Sequence, residues 1–214
     1  MPSAVIVPAS PALVPAISGR APELDEVRAA ARSAVQQLLA TRPGRVLVVA
    51  DAPEDADETS ALDLRPYGVS TAQVASGPVP VAYATAAWLL DDAGWGGRRA
   101  YAGPGRATGA GDDAVLVVAD GTACRSERAP GHLDPRAEGV DARLSTALAS
   151  GDLRVLDDLD HVTVRELMIG GLPALAWLRA AAAHHEVTAR LLYRGAPLGV
   201  GLWVAQWSWD ERAD

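Results

Sequence analysis

Apolar and polar positions change their period several times along the chain, and each change marks an element. Residues 4–7 are a short aliphatic run closed by Pro8, which predicts a buried first strand followed by a Pro-rich loop through Pro15. Over 23–40 the apolar positions Leu24, Val27, Ala31, Ala34, Val35, Leu38 and Leu39 recur every three or four residues. That spacing predicts an amphipathic helix with Pro22 at its start and Pro43-Gly44 as its stop. Residues 45–50 form an unbroken aliphatic run of the kind that a parallel sheet buries on both faces.

The hexapeptide VLVVAD at 46–51 returns unchanged at 115–120, each copy ending in an aspartate that opens a loop. Between the copies the pattern predicts an acidic loop over 51–63, an extended Pro/Gly segment to Pro80, a helix over 81–93, a strand near 99–102 and a Gly-rich connection. A polar loop then leads to a helix near 140–150, stopped by Gly151. A helical region follows over about 163–184, with Thr163 and Glu166 spaced as a capping box and a break at Gly170, Gly171 and Pro173. Two strands close the chain, 186–194 and 199–207, the second alternating Val200, Leu202, Val204 and Gln206 with Gly201, Trp203, Ala205 and Trp207. The Trp stripe is expected to pack on a helix layer, or to form a dimer contact if it is partly exposed. The sum is an α/β fold, a single three-layer domain over residues 1–214 with helices on both faces of a mostly parallel or mixed central sheet.

Composition narrows the chemistry. The 214 residues are 49% hydrophobic and 21% charged, as expected of one globular core. A formal charge of −8 disfavours nucleic acid and anionic membrane as partners. All 19 basic residues are Arg, which excludes a Schiff-base lysine, a P-loop lysine and a Ser-Lys dyad. Cys124 is the single cysteine, so no internal disulfide or multi-cysteine metal site can form. The first 17 residues are apolar but are interrupted by Pro2, Pro8, Pro11 and Pro15, with no positive charge before Arg20, unlike a secretory leader. The uncharged stretch 167–178 is about half the length a bilayer span needs and contains Gly170, Gly171 and Pro173. A cytoplasmic location is expected.

In open α/β sheets the ligand crevice lies beyond the carboxyl ends of the strands, which directs attention to Pro8–Pro11, Asp51–Asp57 and Asp120–Cys124. The crevice candidates there are Ala9, Ser10, Asp51, Asp120, Thr122 and Ala123. Asp51 and Asp120 could converge on a hard divalent cation, with His132 as a third ligand, or each could cap a local turn. Cys124 and His132, the latter with Asp134 nearby in sequence, are the candidate catalytic pair; a buried thiol and an ordered loop imidazole are the alternatives. The glycine-rich stretch 103–111 runs into a strand rather than opening a helix, so it is read as a surface connection and not a phosphate loop. His161, His184 and His185 fall near helix ends and are read as surface residues.

The segments 118–125 (VADGTACR), 129–136 (APGHLDPR) and 192–205 (LYRGAPLGVGLWVA) resemble the strand-to-loop, turn and closing-strand motifs of the class III extradiol ring-cleavage dioxygenase catalytic subunits, including their Memo-like branch. The opening 7–15 (VPASPALVP) is similar to that family's Pro-rich start, and the order of elements agrees along nearly the whole chain. The resemblance implies an extradiol-dioxygenase-like scaffold. In the family, histidines and a carboxylate hold Fe(II) at these strand ends. Aligned without gaps, those positions fall on Ala9, on Asp51 or Ala52, and on Ala123, and alanine cannot ligate a metal.

The leading expectation is therefore a non-catalytic or repurposed member of that family, without a cofactor, that binds a small molecule or a protein partner. The alternative is a metal-dependent dioxygenase or hydrolase with Fe(II) or another divalent cation in a site rebuilt around Asp51, Asp120 and His132. A homo-oligomer or an auxiliary assembly subunit is a further expectation.

Overall fold

A computed structural model describes residues 3–52, 55, 64–69, 81–107 and 113–209. The six strands are β1 (Ser3–Val7), β2 (Arg45–Ala50), β3 (Arg98–Ala102), β4 (Ala114–Val118), β5 (Val187–Gly195) and β6 (Leu202–Trp209). They form one sheet in the order β3-β2-β4-β1-β6-β5. β3, β2, β4 and β1 run parallel, while the β5–β6 hairpin lies antiparallel against β1. The sheet is therefore mixed. The helices are α1 (Pro15–Ser18), α2 (Asp25–Ala40), α3 (Ala84–Asp92), α4 (Ala137–Ser150), α5 (His161–Glu166) and α6 (Leu172–Ala181).

Two apolar layers flank the sheet, as the strand alternation requires. On one face Val5, Val48, Leu116 and Val204 pack with Val27, Ala31 and Val35 of α2 and with Leu89 and Leu90 of α3. On the other Ile6, Val49, Val117 and Trp203 pack with Leu144 and Leu148 of α4 and with Leu175 and Leu178 of α6. Trp203 and Trp207 are sealed in this second layer, and the Trp207 indole N–H donates to the Leu148 carbonyl at 2.8 Å. That burial removes these indoles from any dimer surface.

The identical copies of VLVVAD become neighbouring parallel strands, but out of phase. Val46 pairs with Ala114 and Leu47 with Val115, so Val46 faces the α2–α3 layer and its counterpart Val115 faces the α4–α6 layer. A one-residue shift inverts every side chain of a strand. The inversion is tolerated because both faces are buried and the run is aliphatic throughout.

Several predicted ends move. The helix expected from about 140 starts at Ala137. The expected 163–184 region divides into α5 and α6, with Gly171 at φ +78° forming the break. Thr163 does not cap: the Asp160 carboxylate accepts the N–H groups of Val162 and Thr163, each at 2.9 Å, and Glu166 pairs instead with Arg136. An aspartate one residue before the helix competes better because its ionised carboxylate also favours the helix dipole. The loop expected to run through Pro15 contains a 3₁₀ turn at Pro11–Leu13 and then α1. Most of the acidic loop 51–63 and of the Pro/Gly segment to Pro80, together with 108–112, lies outside the described residues.

Candidate functional site at the sheet switch point

The chain leaves β1 into the α2 layer and leaves β4 into the α4–α6 layer, although β1 and β4 are adjacent. Adjacent parallel strands whose connections depart to opposite faces open a crevice at their carboxyl ends. Asp120, two residues beyond β4, stands there. Its Oδ1 accepts the Ala9 N–H at 2.8 Å, and the Ser10 N–H also donates to this carboxyl. Thus Ala9, Ser10 and Asp120, three of the predicted crevice residues, are brought together.

Two buried polar side chains hold the Pro-rich loop so that these N–H groups point at Asp120. The Thr85 hydroxyl donates to the Ser10 carbonyl at 3.0 Å. Arg28, on the buried face of α2, donates from Nε to the Leu13 carbonyl at 3.0 Å and from Nη2 to the Ala12 carbonyl at 3.2 Å and the Ser18 hydroxyl at 2.5 Å. An Arg fork with several carbonyl acceptors fixes a loop more rigidly than isolated contacts do.

Asp120 keeps part of its surface open, yet it lies deep among packed atoms, so a charge there is poorly solvated. Burial pushes its carboxyl up to about 7, and the N–H donors of Ala9 and Ser10 only partly offset this. The result is a carboxyl, on a partly exposed residue, whose charge changes near neutrality.

The other predicted residues stand elsewhere. Asp51 is exposed at the end of β2. Out-of-phase copies explain the difference: the alternation that turns Asp120 inward leaves Asp51 on the opposite side. Thr122 is fully buried and donates through its N–H and Oγ1 to Asp141, at 2.9 and 3.0 Å. Ala123 is buried, its N–H donating to the Leu167 carbonyl at 3.0 Å.

Cys124 is buried with its thiol 3.6 Å from the Glu166 carbonyl, and desolvation, with the charges of Asp134 and Asp141, pushes that thiol up. His132 is exposed at φ +59°, its Nδ1 3.2 Å from the Glu127 carbonyl. Asp134 binds Arg136 rather than His132, and this drives its carboxyl down to about 2. A thiol whose pKa is raised, beside an imidazole turned to a backbone carbonyl, does not make a nucleophile–base pair.

Among the described residues, Asp51, Asp120 and His132 are not gathered into a three-ligand group. Of these three, Asp120 is the one that accepts the backbone N–H groups of Ala9 and Ser10.

Further along the same rim Asp55 accepts the Gly103 N–H at 3.0 Å and the Arg106 Nε–H at 2.7 Å. Burial opposes ionisation of Asp55, but these donors hold its carboxyl below the usual range. The first part of the Gly-rich stretch is thus a braced turn. Sequence reasoning missed Arg28, Thr85 and Asp141. Two of them carried a signal: Arg28 falls on the stripe of Leu24, Ala31 and Val35, and Asp141 on the stripe of Ala137, Leu144 and Leu148. A charge at a buried helical position needs a partner, and here each has one.

No family model and no curated protein matches this chain. Among the described residues no helix is long and apolar enough to cross a membrane.

Proposed function

We propose that this chain is a non-catalytic or repurposed member of the class III extradiol dioxygenase-like family that binds a small molecule in the switch-point crevice. Asp120 presents its carboxyl to that ligand. The supporting observation is the carboxyl itself: desolvated on a partly exposed residue, and braced by Ala9 and Ser10 from a loop that Arg28 and Thr85 hold in place. Strongly perturbed titratable groups in a crevice mark functional sites more often than structural ones. The alanines at 9 and 123 favour binding over iron chemistry. Near pH 7 such a carboxyl pairs with an amine when ionised and donates to a carbonyl or hydroxyl oxygen when protonated.

The experiment is a thermal-shift screen of small amines, phenols and amides against the protein and Asp120→Asn, with bound metal measured in parallel. The reading expects ligands that raise Tm in a concentration-dependent manner and lose at least about tenfold in affinity on the substitution. Ligands that bind both proteins equally would contradict it, as would a stoichiometric metal lost from Asp120→Asn.

A further inference from the structure

The loop that carries Asp120 continues through Thr122 and Arg125, which turn towards α4 and meet a second opening. A cavity of about 300 Å³ lies between α4 and the β5–β6 hairpin, lined by Arg125, Glu138, Asp141, Ser145, Arg194 and Trp203. That volume is at the small end of the range for small-molecule pockets.

The charges of the lining are not equivalent. Asp141 has a side chain 5% exposed and is already committed: it accepts the Thr122 N–H and hydroxyl and the Arg125 Nη1–H at 2.9 Å. The Ser145 hydroxyl is likewise used, donating to the Asp141 carbonyl at 2.7 Å. Arg125 is therefore aimed by a buried carboxylate, and its other contact is Glu138 at 3.3 Å, a side chain 82% exposed and so well screened. Arg194 is exposed and its side chain makes no hydrogen bond or ion pair among the described residues. It is register partner to Trp203, whose indole is sealed between the sheet and α4.

The cavity thus offers one preset guanidinium and one uncommitted guanidinium. We infer that it is an anion site that takes a small organic carboxylate against Arg194 and Arg125. The planar guanidinium fork matches a carboxylate, and the short body of the acid occupies the rest of the cavity between α4 and the hairpin. With Glu138 at the rim, a singly charged acid suits the site better than a doubly charged phosphate. This inference does not depend on Asp120 and stands or falls separately from the proposed function.

The test is titration of isotope-labelled protein with butyrate, followed by amide NMR, with butyramide as the neutral counterpart and inorganic phosphate as the rival anion. Arg194→Gln and Glu138→Gln alter exposed side chains, and their own spectra report folding. The inference expects saturable butyrate shifts at Ser145, Gly195 and Trp203, absent with butyramide. It expects about tenfold weaker binding in Arg194→Gln and two- to threefold tighter binding in Glu138→Gln. Butyrate binding that Arg194→Gln leaves unchanged, equal binding of butyramide, tighter binding of phosphate, or no saturable shift would each overturn it.

Discussion

Replacing Asp120 by Asn removes a charge while keeping the size and the acceptor that receives the Ala9 N–H. In the unfolded chain this carboxyl titrates at its ordinary 3.8, and in the folded chain near 7. A carboxyl raised on folding favours the folded state while it is protonated. Its stability contribution is full below about 4, falls as pH rises, and is lost above about 7. The shift corresponds to about 4 kcal/mol, and contact with solvent at the open side screens this to about 3 kcal/mol.

The difference in unfolding free energy between Asp120→Asn and the parent, from urea melts at intervals between pH 4 and pH 8, isolates this group because every other carboxylate is common to both. The variant should gain on the parent by roughly 1 kcal/mol per pH unit up to neutrality and then level off. A flat difference curve would refute the buried-carboxyl argument. So would a parent that gains on the variant as pH rises, since that would make the ionised form the stabilised one.

Other consequences follow from the same packing. Asp141→Ala strands the Thr122 N–H and the Arg125 guanidinium inside the loop and should cost about 3 to 5 kcal/mol in urea unfolding, with Asp141→Asn milder. Gly171→Ala puts a Cβ 2.5 Å from the Ala119 Cα at a φ of +78°, and should lower Tm by roughly 6 to 12 °C. Cys124, sealed and with its thiol pushed up, should resist iodoacetamide at pH 8 in the folded protein and react promptly once urea unfolds it; modification at equal rates would show the loop to be open.

The strands and long helices were legible because each is written in an uninterrupted period. Residues 46–50 and 114–118 are aliphatic on both faces, and α2 keeps one apolar stripe over 16 residues. That Asp51 and Asp120 do not converge was not legible, because two identical hexapeptides carry no sign of which face each residue takes. Only the pairing of Leu47 with Val115 decides that. Topology alone directed attention to these strand ends, where the structure brings Ala9, Ser10 and Asp120 together. The bracing of the Pro-rich loop by Arg28 and Thr85 depends on contacts 10 to 76 residues apart, which a local pattern does not encode. Asp160 displaced Thr163 as a cap for a simpler reason: both residue types cap, and backbone geometry selected the earlier one.

The most direct measurement is a carbon-13 NMR titration of the Asp120 side-chain carboxyl, assigned by its disappearance in Asp120→Asn. The account expects a midpoint near 7, well separated from the other aspartates, and a displaced midpoint when a crevice ligand binds. A midpoint near 4, unmoved by any ligand, would mean an ordinary solvated carboxylate and no functional crevice at this end of the sheet.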